Sequence, residues 1–235
     1  MAEQNIRVVI VDDERLFAEL MRVALKAADG IEVQAVVHDL KEAIAALNEY
    51  KPDVVIADYH LPDGTGADLA RAVRGSLPDT SILVLTADPS AATLNDVARS
   101  GAVGHMTKGR GLTEVVESVR AAASGEILFA PSELQRLLLE SAAARKVIEP
   151  LTGRELEVLR LLASGTSTSS AAESLGISTA TLRAHVQAVL RKLGAHSRLE
   201  AVAEAARLGL VTLESWTRDR PAHPRGGDGP APERR

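Results

Sequence analysis

Five side chains in the first half of the chain have the types needed to accept a phosphoryl group: Asp12, Asp13, Asp58, Thr86 and Lys108. Apolar runs precede them: Ile6–Val11 before the acidic pair, Val54–Ala57 before Asp58, Ile82–Leu85 before Thr86, and Gly101–Met106 ahead of Lys108. Three carboxylates converging at low dielectric repel one another and need a cation; hard oxygen ligands favour Mg2+, which keeps several waters and bridges to phosphate oxygens. An ionised Asp beside Mg2+ attacks phosphorus to form an acyl phosphate. A Lys ammonium and a Thr hydroxyl opposite it stabilise the phosphoryl oxygens. A second set lies far along the chain. Arg183, Gln187 and Arg191, spaced four apart, share one face of a helix, where long polar side chains reach base edges and phosphates in a major groove.

The elements that must position the first set alternate between strand and helix. Residues 6–11 read as a buried strand, followed by a helical pattern through Ala27 with Leu16, Phe17, Leu20, Val23, Ala24 and Ala27 on its inward face. Strands at 32–37, 54–57, 82–85 and 101–106 alternate with helices at 40–50, 67–74, 91–100 and 112–123. Ile44 and Leu47 point inward in the first of these helices, as do Val115, Val116 and Val119 in the last. Five such units predict a parallel sheet with right-handed crossovers and helices on both faces. Such a sheet gathers the carboxyl ends of its strands, and so Asp12, Asp13, Asp58, Thr86 and Lys108, along one edge.

Residues 5–124 resemble the receiver domain of bacterial two-component response regulators. The residues that carry the resemblance are Asp12-Asp13, Asp58 with Pro62 four residues on, Thr86-Ala87, and Lys108 after Gly101-Ala-Val-Gly-His-Met-Thr. The resemblance implies a flavodoxin-like (βα)5 fold with sheet order 2-1-3-4-5. It makes Asp58 the phosphoacceptor, with Asp12, Asp13, Asp58 and the backbone carbonyl of His60 holding Mg2+, and with Thr86 and Lys108 contacting the phosphoryl group. One position departs from the pattern. His105 stands where the family carries a Tyr or Phe that swings inward when Thr86 meets phosphate. Imidazole is smaller and has an unperturbed pKa of ~6.5, so a switch built on it is expected to depend on pH.

Residues 125–149 read as a linker, with Pro131 opening an amphipathic helix through Leu134, Leu137, Leu138 and Ala142. Beyond it four helices are expected. Thr152-Gly-Arg-Glu155 is a capping box, Gly165 ends the first helix, Ser167–Leu175 is short, Ser178 caps a longer helix through Leu193, and the last covers Arg198–Leu208. Two helices joined by a glycine turn are helix-turn-helix geometry, here at about 168–187. Residues 148–213 resemble a LuxR-type domain of NarL/FixJ regulators. The match is carried by Leu151-Thr152-x-Arg154-Glu155-x-Glu157-Val158-Leu159, Gly165, Leu175-Gly-Ile-Ser178, Thr181-Leu-Arg183-x-His185-Val186, Lys192-Leu193-Gly194 and Ser197-Arg198. By that resemblance Thr181, Arg183, Ala184, His185, Gln187, Arg191 and Lys192 are the candidate DNA contacts. Arg183, Ala184 and Gln187 face bases, His185 packs or meets phosphate, and the helix from Arg198 is a dimer surface. The short helix reads Thr168-Ser-Ser-Ala-Ala172, without the family's Lys, and one lost phosphate contact lowers the salt-dependence slope by ~0.9. Residues 215–235, rich in Pro, Gly and Arg, are expected to be a disordered tail.

The bulk properties agree with two domains. The 235 residues are 46% hydrophobic and 25% charged, with no cysteine to form a disulfide or a thiolate metal site. The net charge of −5 is uneven. Residues 1–128 carry 12 Lys and Arg against 20 Asp and Glu, whereas residues 150–213 carry 7 against 5, which suggests different partners for the two halves. Neither a signal-peptide pattern nor a bilayer-length apolar run occurs, so a cytoplasmic location is expected. The reading is a DNA-binding transcription regulator and not an enzyme. Its receiver is phosphorylated by a sensor histidine kinase, and the activated protein binds promoter DNA as a homodimer. One rival is an Asp-based phosphatase, against which the chain shows no separate general acid. The other is a phosphorylation-independent DNA-binding regulator whose receiver serves as a dimerisation or ligand module.

Overall fold

A computed structural model describes residues 5–87, 90–130, 133 and 149–211. Strands β1 (Ile6–Val11), β2 (Ile31–Val37), β3 (Val54–Asp58), β6 (Ser81–Thr86) and β7 (Gly104–Thr107) form one five-stranded sheet in the order β2-β1-β3-β6-β7. Every neighbouring pair is parallel. Counted among themselves the strands run 2-1-3-4-5, the expected flavodoxin-like order. The central strand β3 and the inner residues of β1 and β6 are apolar because both sheet faces are covered there, whereas the edge strand β2 carries Glu32 and Gln34. Val9, Val11, Val55, Ala57 and Val84 pack toward α2 (Leu40–Tyr50), α3 (Gly66–Val73) and α4 (Ala91–Ser100). Val8, Ile10, Val54, Ile56, Leu83 and Leu85 pack toward α1 (Arg15–Lys26) and α5 (Leu112–Ala123).

Two features differ from the expectation. The inward face of α1 is the stripe Ala18, Met21 and Leu25, whereas Leu16, Leu20 and Val23 are 76%, 61% and 60% exposed. The helix carries two apolar stripes, and the one headed by the small Ala18 lets its axis approach the sheet closely. An antiparallel hairpin of β4 (His60–Leu61) and β5 (Gly64–Thr65) also fills the loop after β3, and strands of two residues leave no periodicity to read. It leads into a capping box in which Thr65 and Asp68 satisfy each other's backbone N–H at the start of α3.

Residues 127–129 extend the receiver core. Leu128 N donates to Val103 O at 2.7 Å, and Ile127 and Phe129 are buried. A Cβ on Gly104 would stand 2.4 Å from Leu128 Cβ, so this close approach requires glycine. Apart from residue 133, the expected linker helix lies outside the described residues, as does the expected tail.

The C-terminal helices are α6 (Gly153–Ala163), α7 (Thr168–Ser174), α8 (Thr179–Leu193) and α9 (Arg198–Arg207), each opened by a Ser or Thr cap. Gly176, at φ +64°, ends α7 and lets Ser178 open α8, giving the helix-turn-helix. Leu182, Val186, Val189, Leu190 and Leu193 of α8 are buried in the domain core, as their spacing predicts. This bundle docks on the α3–α4 side of the sheet. Ser197 Oγ donates to Ala98 O at 2.8 Å, Thr168 N donates to Ser124 O at 2.6 Å, and one apolar cluster runs through both domains. No helix among the described residues is long and apolar enough to cross a membrane.

Candidate functional site

Parallel pairing of β1, β3 and β6 brings Asp12, Asp58 and Thr86 to the carboxyl edge of the sheet, and the turn after β7 adds Lys108. All four are largely buried. Lys108 Nζ donates to Asp12 Oδ1 at 3.3 Å and to Glu14 Oε1 at 2.8 Å, and lies 3.1 Å from Asp58 Oδ2. It also stands 4.9 Å from the centroid of the Phe17 ring. Burial pushes the Asp58 carboxyl up, against the pull of Lys108. Asp12 is raised for the same reason. Burial alone would lower the Lys108 ammonium, but its hydrogen bonds to Glu14, Asp12 and Asp58 outweigh that and raise it.

The backbone around Asp58 is tightly held. Tyr59 N donates to Leu85 O at 2.7 Å, and Gly66 N donates to Tyr59 O at 3.0 Å. A Cβ on Gly66 would fall 2.6 Å from Asp58 O, so the chain after the hairpin packs directly under the acceptor strand end.

The acidic groups fit a hard divalent cation. Ligand oxygens of Asp12, Glu14 and Asp58 all lie within 4.8 Å of one another. Asp12 Oδ2 is buried and accepts no hydrogen bond, and the charge that faces it is the Lys108 ammonium at 3.1 Å, so a divalent cation there would share this oxygen with Lys108. The structure does not bring Asp13 into this group. Asp13 is exposed, while Glu14, which the sequence reading passed over, reaches the site beside Lys108. Its signal was the third acid of the run Asp12-Asp13-Glu14. The His60 side chain is exposed on β4, so only its backbone follows Asp58 into the loop.

His105 sits on β7, mostly buried. Its Nε2 makes a 2.6 Å hydrogen bond with Glu133 Oε1, and its ring is 5.8 Å from that of Phe129. Glu133 is buried as well and accepts from Ala130 N at 2.5 Å. Nothing in the sequence pattern pointed to Glu133 as the partner of His105.

The second set of candidates divides on α8. Thr181, Ala184 and Arg191 are exposed, and His185 is half-buried. Arg183 and Gln187 are half-buried because they line a cavity against the receiver, where Arg183 Nε lies 3.4 Å from Asp79 Oδ1. Lys192 departs from the expected DNA contact. Its ammonium donates to Glu155 Oε2 at 2.7 Å and Pro150 O at 3.2 Å, inside the helical domain. Together with the Thr152 backbone N–H, that ammonium holds the Glu155 carboxyl down to about 2.

Comparison with known proteins agrees with both halves. Residues 8–120 match the family described as "Response regulator receiver domain", and residues 149–205 match "Bacterial regulatory proteins, luxR family". The chain is 33% identical over 217 residues to the "Uncharacterized transcriptional regulatory protein YxjL" of Bacillus subtilis, covering 90% of this chain and 100% of that one. It is 34% identical to the "Probable transcriptional regulatory protein NarL" of Mycobacterium tuberculosis, covering 88% and 97%. Among solved structures, the two-component response regulator RcsB in complex with DNA is similar with a TM-score of 0.50 at 26% identity, over 87% of this chain and 100% of that one. A receiver sheet with a buried Asp at its edge, joined to a LuxR-type helix-turn-helix, thus places the chain in the NarL/FixJ family of two-component response regulators, which act as transcription regulators.

Proposed function

We propose that Asp58 accepts a phosphoryl group from a sensor histidine kinase, and that the aspartyl phosphate then frees the α8 face to bind promoter DNA as a homodimer. The observation that carries this reading is the position of Lys108 Nζ, 3.1 Å from Asp58 Oδ2 and 3.1 Å from Asp12 Oδ2 at one buried sheet edge.

In the transfer, an Asp58 carboxylate oxygen attacks phosphorus in line with the P–N bond of a phosphohistidine. That bond breaks, its electron pair leaves with the imidazole, and an acyl phosphate forms. Asp12, Asp58 and either Asp13 or Glu14, with the His60 carbonyl, would hold Mg2+, which would supply the positive charge that offsets the clustered carboxylates and the incoming phosphoryl group. The Lys108 ammonium, shared among carboxylates before transfer, turns to a phosphoryl oxygen after it. The Thr86 hydroxyl, at the end of β6, meets another.

The consequence reaches the second domain through contacts already described. The chain runs from Thr86 into α4, and Ala98 near the end of α4 accepts from Ser197 at the start of α9. Arg183 on α8 faces Asp79 of the receiver, so DNA and the receiver compete for one guanidinium. A phosphoryl group that favours a different α4 position biases this two-state contact toward release.

The test is intact mass after incubation with Mg2+ and acetyl phosphate, beside Asp58→Ala, followed by affinity for a duplex selected from a random-sequence pool. One phosphoryl addition in wild type alone, with tighter DNA binding, supports the reading. Equal DNA binding with and without phosphorylation favours the phosphorylation-independent regulator.

A further inference from the structure

The contact between the domains encloses more positive charge than it neutralises. A cavity of about 60 Å³ lies between the segment from α3 to β6 on the receiver and helices α8 and α9 on the other side. Arg74, Arg183 and Arg198 line it, and Asp79 is the one carboxylate that does so among the described residues. Arg183 Nε is 3.4 Å from Asp79. The other two guanidiniums have only neutral oxygens as described partners. Arg74 donates to His196 O at 3.2 Å, and Arg198 donates to Gly125 O and, at 3.3 Å, to Thr168 Oγ1. Three fixed cations beside one anion in a partly desolvated space are a standing attraction for a further negative charge.

We propose that this cavity is a binding site for a tetrahedral oxyanion such as inorganic phosphate or sulfate, and that the bound anion holds the two domains together with α8 withheld from DNA. The size class follows from the volume. One water needs ~10–15 Å³ measured this way, so 60 Å³ accommodates a small oxyanion with its fork of donors but not a nucleotide. The charge class follows from the arginines, whose planar donor pairs match phosphate oxygens. The Arg198 guanidinium is pulled down to about 10, first by burial and then by Arg183, against the opposing pull of Asp79. An anion between the two guanidiniums relieves both effects. Because Arg74 belongs to the receiver and Arg183 and Arg198 to the helical domain, the anion bridges them. Because Arg183 is base-facing by resemblance, anion and DNA exclude each other, a consequence that rests on the proposed DNA-binding reading.

The experiment titrates the full chain with sodium phosphate and, separately, sodium sulfate by calorimetry, without Mg2+ or a phosphodonor and against chloride at matched ionic strength. Saturable binding is expected, weakened at least tenfold by Arg74→Gln and tightened severalfold by Asp79→Asn, since one change removes a cation and the other removes the competing anion. Binding of phosphate alone would assign the site to the phosphate monoanion–dianion pair, and binding of both to any tetrahedral oxyanion. Absence of saturable binding overturns the proposal, as does binding that Arg74→Gln leaves intact and Lys108→Ala abolishes, which would place the anion at the receiver edge. In a separate arm, phosphate at constant ionic strength lowers affinity for the selected duplex in wild type but not in Arg74→Gln. Failure of this arm alone with binding intact removes the regulatory role and leaves the site.

Discussion

His105 Nε2 and Glu133 Oε1 are 2.6 Å apart, so the strand position three residues before Lys108 is tied to a residue beyond the receiver's last helix. Both side chains are largely buried, and the other imidazole nitrogen, Nδ1, is buried without a partner. A Tyr or Phe, which the family carries here, has no ring nitrogen to offer this carboxylate. Here the bond is made by the imidazole.

Breaking that bond from the His side strands a buried carboxylate on a single backbone N–H. His105→Phe is expected to cost about 1–3 kcal/mol in urea unfolding, and adding Glu133→Leu to recover most of the loss, because an unpaired buried polar group costs more than a removed pair. Strictly additive losses in the double-mutant cycle would show that the two residues do not act as a unit.

Burial at the sheet edge sets the sign of a second prediction. The Asp12 and Asp58 carboxyls are raised, so each contributes stability below the unfolded value of about 4 and loses it as pH rises through the higher folded value. Each carboxylate is therefore held ionised at a cost to the fold, the cost of its burial. Asp58→Asn removes one such charge while Lys108 keeps Glu14 and Asp12. Without Mg2+ its Tm is expected to exceed wild type by about 2–4 °C, the size of a ~1 kcal/mol gain in a chain of this length. The excess should shrink as pH falls and the wild-type carboxylates take up protons. An unchanged or lower Tm at neutral pH would mean that pairing with Lys108 already outweighs burial.

Much of this site was legible in the chain because its parts end apolar runs. Val54–Ala57, ended by the Pro, Asp and Gly that follow, reads as a strand covered on both faces, and its next residue then emerges at an edge. Caps were equally plain: Thr152-x-x-Glu155 opens α6 and Ser178 opens α8, because the side chain that ends one conformation also satisfies the N–H groups of the next. The face of α1 was not legible, since Leu16-Leu20-Val23 and Ala18-Met21-Leu25 both satisfy helical spacing and only the sheet chooses between them. Glu14 over Asp13 was hidden for the same reason: the turn into α1, not the acidic run, decides which exposed carboxylate reaches Lys108. The pairings of Arg183 with Asp79 and of His105 with Glu133 join residues distant in sequence, and such contacts leave no period.

The identity of the carboxylates that meet Mg2+ is open to direct measurement. Millimolar Mg2+ is expected to raise the Tm of wild type through binding to the folded state alone, and Asp12→Asn to abolish the rise. Glu14 lies in the acidic group and Asp13 outside it. If Glu14 serves as a ligand, Glu14→Gln weakens Mg2+ binding about tenfold and Asp13→Asn has little effect. The reverse order would mean that the cation redraws the loop and brings Asp13 in as the family resemblance implies.

Charge on α8 gives the last contrast. Lys192 and Arg191 are neighbours, yet Lys192 is held by Glu155 and Pro150 O while Arg191 is exposed. Arg191→Ala is expected to reduce the slope of log binding constant against log salt by ~0.9, the signature of one lost phosphate contact. Lys192→Ala should leave that slope unchanged and instead destabilise the helical domain by about 1.5–3 kcal/mol, the worth of a charge-assisted hydrogen bond. The Glu155 carboxyl is held at about 2, below its ordinary 4.5, so the stability it contributes is present above pH 4.5 and is lost as pH falls toward 2. Lys192→Ala should flatten that acid limb of the stability profile. A reduced salt slope in Lys192→Ala, with stability intact, would return this lysine to the DNA-facing set.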